Sequence, residues 1–364
     1  MSIGWGLMEV SVQMTSAETS MTATPDPVEQ MREMLAGHIV AQCLHATASL
    51  GIADLIKKGH RAIGDLAAET GTHAPSLHRM LRTLASLGVF TEIIDGEFGL
   101  TPLDATLRSD ALNSLRDQAL FETSACIWMT WGQLVGSLRS GQPSFASVNK
   151  LPLFDYLAER PETGAVFNRF MTMQSKLQNA AIVANYDFSE AQTVVDVGGG
   201  HGATLAAVLA QYPALHGVLI DLPEVVSNPL ALETSQFADR CQVVGDNALK
   251  SVPVGGDIFI VKRVMMGFSD ENAGRILRNC RAAMRSKSKV LVIDPMLPNG
   301  TEPHYNRLTD LLMMVVPGGR CRSEAEFREL FDAAGMSVTR VIATGTSNFI
   351  LEGMIRRSTD KPKT

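Results

Sequence analysis

Val194-Val195-Asp196-Val197-Gly198-Gly199-Gly200-His201-Gly202 decides the fold: an apolar strand carrying one carboxylate runs into a glycine-rich turn, and a helical pattern over 203–212 follows. Strand, tight turn and helix in that order build the edge of a nucleotide-type site in a doubly wound α/β sheet. Glycines at 198, 200 and 202 allow positive φ and leave no Cβ between the backbone and a ligand at the strand's carboxyl end. A dinucleotide fingerprint asks for G-x-G-x-x-G, but here the third glycine falls one residue early and Asp196 stands where a pyrophosphate would be repelled. A cationic cofactor suits that carboxylate better. Taken alone, the motif is equally a plain tight turn.

The strand ends downstream separate these readings. The apolar run 217–220 ends in Asp221, about where a second-strand carboxylate grips the two hydroxyls of a ribose. The run 241–244 ends in Gly245-Asp246-Asn247, and an aspartate there can accept the exocyclic amine of an adenine. A fourth run, 257–264, carries Lys262-Arg263. Each polar residue alone is as readily a loop residue or a helix cap. Four in succession at the strand ends of one parallel sheet point to a cofactor site.

The run D-V-G-G-G-H-G (196–202), then I-D-L-P-E-V (220–225), G-D-N (245–247), K-R-V-M-M-G-F-S-D-E (262–271) and P-G-G-R-C-R-S (317–323) resembles the S-adenosylmethionine-dependent small-molecule O-methyltransferases. The likeness is to the plant caffeate and bacterial polyketide-tailoring type and covers about 29–356. It implies S-adenosyl-L-methionine as cofactor. By position, Asp196, Gly198 and Gly200 would lie under its methionine portion, Asp221 and Leu222 would meet ribose and adenine, Asp246 and Asn247 the adenine, and Lys262 would add a further contact.

Bulk properties agree with a soluble, cytoplasmic enzyme. Of 364 residues 45% are hydrophobic and 19% charged, enough for two domains. A formal charge of −6 makes nucleic acid and anionic membrane poor partners, and there is no long apolar run. Cys43, Cys126, Cys241, Cys280 and Cys321 include no C-x-x-C pair, which argues against a disulfide framework and against a metal site. Residues 1–26, rich in Ser, Thr and Met and without a basic start, are expected to be a disordered tail.

Residues 27–186 follow a mainly helical pattern. The first helix, 31–50, repeats Met34, Leu35, Ile39, Val40 and Cys43 at helical spacing. The segments 62–70 and 75–87 with the hairpin 89–100 form a winged-helix pattern, whose obvious rival reading is DNA binding. Residues 61–108 hold four arginines against six acidic residues, the wrong sign for phosphates. The resemblance implies a winged-helix dimerisation domain, hence a homodimer. It also implies that Trp128 and the long helix 163–186, with Phe170, Met171 and Met173, wall a pocket for a small-molecule acceptor. Residues 187–358 then form the cofactor-binding catalytic domain, a Rossmann-like methyltransferase sheet. The hairpin of 338–344 and 348–356 predicts an antiparallel last strand in it.

The chemistry departs from the family pattern. Methylating a phenol, pKa about 10, calls for a base as the sulfonium carbon is attacked. Relatives use a His in an H-D-W segment, supported by two Glu. The corresponding positions here are Met266 for the base, with Gly267 and Phe268 beside it, and Asp294 and Cys321 for its supports. Loss of a general base is worth roughly 10²–10⁴ in rate, about 3–5 kcal/mol. Three readings survive: methyl transfer to a nucleophile that needs no base, use of the sulfonium charge without transfer, and a catalytically silent binding protein. Replacement bases to consider are His38, His45, His304, Asp310 and Cys321, with His201 placed toward the cofactor. Asp310 is expected to open a helix over 310–316 whose Met313 and Met314 line the acceptor pocket.

Overall fold

The computed structural model describes residues 26–94, 96–227 and 233–356, so the expected tail lies almost wholly outside the described residues. Asp26 caps the first helix, its Oδ1 accepting the Val28 N–H at 3.1 Å ahead of a proline at the first turn. Helices α1 (Pro27–Leu50), α2 (Ile52–Ile56), α3 (Ile63–Thr70) and α4 (Ala74–Ser86) pack with strands β1 (Arg61–Ala62), β2 (Phe90–Ile94) and β3 (Glu97–Leu100). The strands form an antiparallel sheet in the order β1-β3-β2. Leu66, Leu81 and Leu84 from two amphipathic helices meet Phe90 and Phe98 beneath it.

Five short helices, α5 (Arg116–Glu122), α6 (Ala125–Trp131), α7 (Leu134–Ser140), α8 (Phe145–Asn149) and α9 (Leu153–Glu159), lead into the long α10 (Pro161–Asn185). Phe121, Ile127, Phe145, Phe170 and Val315 share their core. Val315 belongs to the second half of the chain, so the two halves are packed together around α10.

The large sheet contains β4 (Thr193–Val197), β5 (His216–Asp221), β6 (Cys241–Gly245), β7 (Ile258–Lys262), β8 (Lys289–Leu297), β10 (Met336–Ala343) and β11 (Asn348–Ile355), with the short β9 (Arg322–Ser323) beside β8. Its order is β10-β11-β8-β7-β4-β5-β6, parallel through β8 to β6, with β11 antiparallel to both β8 and β10. The antiparallel last strand is therefore present. Strands buried on both faces must be apolar at nearly every position, and the central β4, β7 and β8 are. Val195, Val197, Phe259, Val261, Val290 and Val292 face α13 (Asp270–Ala283) and α15 (Glu324–Ala333). Val194, Ile258, Ile260, Leu291 and Ile293 face α11 (Ala203–Gln211) and the end of α10. Asp196 shares the Val194 side and is the one charged residue of β4.

The chain goes one way from β4 to β5 and β6 and the other way to β7 and β8. That switch point, at the carboxyl ends of β4 and β7, is where such a sheet opens a crevice. Helices α12 (Pro223–Val226) and α14 (Tyr305–Val315) border it. The expectation that Asp310 opens a helix is corrected: α14 begins five residues earlier, and the His304 Nδ1 accepts the Asn306 N–H at 3.1 Å as its cap.

Candidate functional site

A cavity of about 970 Å³ lies at the switch point, between the strand ends and the walls supplied by α5, α10 and α14. At one end are Asp196, Gly198, Gly200, Asp221, Leu222 and Lys262; at the other are Phe121, Glu122, Phe170, Met171, Met266 and Met313. The glycine loop is built for close approach. Gly198 and Gly200 have φ of 69° and 59°, the left-handed region that disfavours side chains, and a Cβ at Gly200 would project into open space. The Gly200 N–H donates to Asp221 Oδ2 and the Leu222 N–H to Asp221 Oδ1, both at 2.7 Å, which fixes that carboxylate at the end of β5.

Asp196 is 1% exposed, and neither of its oxygens has a hydrogen-bond partner. Burial raises its pKa to about 7, with Lys262 pulling it down and Asp221 adding to the rise. Lys262 shows the mirror effect: burial and neighbouring Arg263 bring it down to about 7, while Asp196 opposes them. The Lys262 Nζ donates to Asn179 Oδ1 at 2.8 Å, and the Thr204 hydroxyl donates to the same oxygen at 3.0 Å. Asn179, buried on α10, thus ties the bridging helix to the cofactor end. Sequence reasoning missed it, because no local motif marks a lone Asn in the middle of a long helix.

At the opposite end, Met265–Gly267 forms a single 3₁₀ turn held by its backbone. The Met266 N–H donates to Asp294 Oδ2 and the Arg320 N–H to the Met266 carbonyl, both at 2.9 Å. Arg322, fully buried, donates to the carbonyls of Met265 and Phe268 and to Asp270 Oδ1, each at 2.8 Å. Gly319 allows this contact, since a Cβ there would come within 2.0 Å of the Met266 carbonyl. Asp294, fully buried with Oδ1 unpaired, has its pKa raised to about 7 by burial. The turn at the expected base position is thus fixed by its backbone, but its expected supports are an aspartate and a cysteine, and a thioether stands where an imidazole would be.

Several expected residues stand elsewhere. Trp128 sits on α6, Met173 on α10 and Met314 in the core shared by α7, α8 and α10, all off the cavity wall. Asp310 is not among the residues of the wall; its Oδ1 accepts the Cys321 N–H at 2.7 Å. Asp246 and Asn247 are likewise outside it. Asp246 accepts from the Asn247 N–H and the Ser251 hydroxyl, which lower its pKa, and Asn247 Oδ1 accepts the Leu249 N–H.

The replacement bases are also accounted for. His38 Nδ1 lies 2.6 Å from the Leu35 carbonyl on the exposed α1, His45 pairs with the Thr123 hydroxyl, and His304 caps α14. The Cys321 thiol is buried and pushed up to about 12. His201 lines the cavity, but within the glycine loop.

Comparison with known proteins gives a consistent result. The O-methyltransferase domain matches residues 131–337 and the O-methyltransferase dimerisation domain residues 32–109. A phenazine O-methyltransferase of Lysobacter antibioticus is 39% identical, covering 88% of this chain and 94% of its own. The mitomycin biosynthesis 6-O-methyltransferase of Streptomyces lavendulae is 34% identical, covering 92% and 97%. The crystal structure of an O-methyltransferase from neocarzinostatin biosynthesis, in complex with S-adenosylmethionine and 2-hydroxy-5-methyl naphthoic acid, aligns with a TM-score of 0.74 at 30% identity, over 87% of this chain and 96% of that one.

Proposed function

The chain belongs to the O-methyltransferase family, and on that premise we propose that it moves the methyl group of S-adenosylmethionine to an oxygen or nitrogen of an aromatic small molecule of secondary metabolism, without an enzyme base. The observation that carries the last clause is Met266: it lines the acceptor end of the cavity, where no histidine stands among the described residues. When bound, S-adenosylmethionine supplies an electrophilic methyl group on a sulfonium.

The chain's residues fit that cofactor. The unpaired Asp196 carboxylate suits its cationic portion, and Asp221, whose two oxygens each accept one backbone N–H, keeps lone pairs for ribose hydroxyls. Gly198, Gly200 and Leu222 supply backbone and apolar surface, and Lys262 holds the floor through Asn179. Asp246 keeps lone pairs for an adenine amine one strand further on. Opposite, Phe170, Met171 and Met313 give flat apolar walls that orient an arene, so proximity does the work a base does elsewhere. The nucleophile is then a nitrogen lone pair or a hydroxyl already ionised, and any proton leaves to water.

The same reading makes 27–186 a winged-helix dimerisation domain and 187–358 the catalytic domain of a cytoplasmic homodimer. It is supported by the apolar face of α1, by five free cysteines, and by the fact that no described helix is long and apolar enough to cross a membrane. The test is kcat/KM against pH at saturating S-adenosylmethionine, for acceptors whose hydroxyls differ in acidity. The inflection should move with the acceptor. An inflection fixed across acceptors would reveal an enzyme base and overturn the proposal.

A further inference from the structure

We propose that Arg263 anchors the acceptor, and that the acceptor presents an anionic oxygen, a ring carboxylate or an ionised hydroxyl, to its guanidinium. This rests on the reading of the Met266 end of the cavity as the acceptor site. Arg263 lines that cavity directly after β7 and has φ of 54°, a left-handed conformation shared by only one other non-glycine residue among those described. Such backbone is held where the surroundings demand it, and often at a site. Its guanidinium makes no hydrogen bond, and no ion pair within 4.0 Å, among the described residues. The contrast with Arg322 is direct: that buried arginine has a structural task, and its nitrogens are taken by Met265, Phe268 and Asp270.

The ionisable groups near Arg263 are Asp294 from β8, Cys321 from the 317–322 loop, Tyr305 from α14, Glu122 from α5 and the like-charged Lys262 at the end of β7. Asp294 accepts from Met266, Glu122 accepts from Gln118 at 2.9 Å, and Cys321 is a neutral thiol. None of them fills the fork. A guanidinium in a largely apolar cavity has five donors to satisfy, and a planar anionic oxygen pair satisfies them best. An anchored anion also fits base-free transfer, because the positive charge favours the ionised form of an acceptor hydroxyl.

The experiment titrates 2-naphthol and 1-hydroxy-2-naphthoate into enzyme loaded with S-adenosylhomocysteine, wild type, Arg263→Gln and Arg263→Lys, from pH 6 to 10. A carboxylate anchor predicts that wild type prefers the naphthoate by about tenfold or more at every pH, that Arg263→Gln loses the preference, and that Arg263→Lys keeps part of it. A hydroxyl anchor predicts instead that 2-naphthol binding strengthens toward its own ionisation near pH 10, with the same loss in Arg263→Gln. Wild type that binds both probes alike at all pH values, or Arg263→Gln with wild-type preference and intact S-adenosylhomocysteine affinity, overturns the proposal. The first of these needs no variant to fold. Failure of wild type to bind S-adenosylhomocysteine would instead strike the cofactor reading.

Discussion

Asp196 and Lys262 lie on adjacent strands, each deprived of water, and each has a pKa moved to about 7 from opposite sides. The acid is raised, so between about pH 4 and 7 the folded protein holds a proton the unfolded chain has lost, and stability falls as pH rises. The lysine is lowered, so between about pH 7 and 10 the unfolded chain holds the extra proton, and stability rises with pH. Ligand-free protein is therefore least favoured by this pair near neutrality. Asp196→Asn should stabilise ligand-free enzyme at pH 7–8 by about 1–3 kcal/mol, read from urea denaturation, while weakening S-adenosylmethionine. In wild type, S-adenosylmethionine affinity should drop as pH falls from 8 to 6, because the carboxylate loses and the lysine gains a proton; calorimetry should find that slope flattened in Asp196→Asn. Asp221→Ala should weaken the same binding by roughly 2–4 kcal/mol, and unchanged affinity in a folded variant would remove Asp221 from the cofactor site. Residues at strand ends were legible because glycine, aspartate and chain direction coincide there. Asn179 was not, since its partners Lys262 and Thr204 come from distant segments.

At the scale of elements, the parallel sheet and its antiparallel last strand followed from the sequence because continuous apolar runs alternate with helices and the final hairpin has an unmistakable turn. The start of α14 did not. An acidic residue before an apolar run imitates a helix opening, whereas the true cap is the His304 imidazole, and Asp310 serves instead to hold the Cys321 N–H. The wall residues Trp128, Met173 and Met314 were misplaced for a related reason: a helix's apolar residues divide between core and cavity according to neighbours that no single helix reveals. The loop of 317–322 and the Met265–Gly267 turn act as one unit, joined by Gly319, Arg320 and Arg322. Gly319→Ala should force that unit apart, lowering stability by about 1–3 kcal/mol and reducing acceptor kcat/KM more than S-adenosylmethionine affinity. Equal losses in both would mean the damage is global.

For the whole molecule, α1 exposes Met34 and Leu35 at 70% and 68%, together with Met31 and Ile39, while its second half is partly covered by the rest of the domain, with Thr47 and Ala48 buried. An apolar stripe of that kind is expected to be covered across a two-fold axis, and the matched dimerisation domain spans it. Light scattering should give a dimer at micromolar concentration and a monomer for the Leu35→Asp, Ile39→Asp double variant; a wild-type monomer would defeat the idea. The central claim, methyl transfer by a family member without its base, is tested most directly by counting S-adenosylhomocysteine against product for purified enzyme with a panel of hydroxy- and amino-arenes. One S-adenosylhomocysteine per methylated product is the predicted result. Product formed while S-adenosylmethionine is left intact would contradict it.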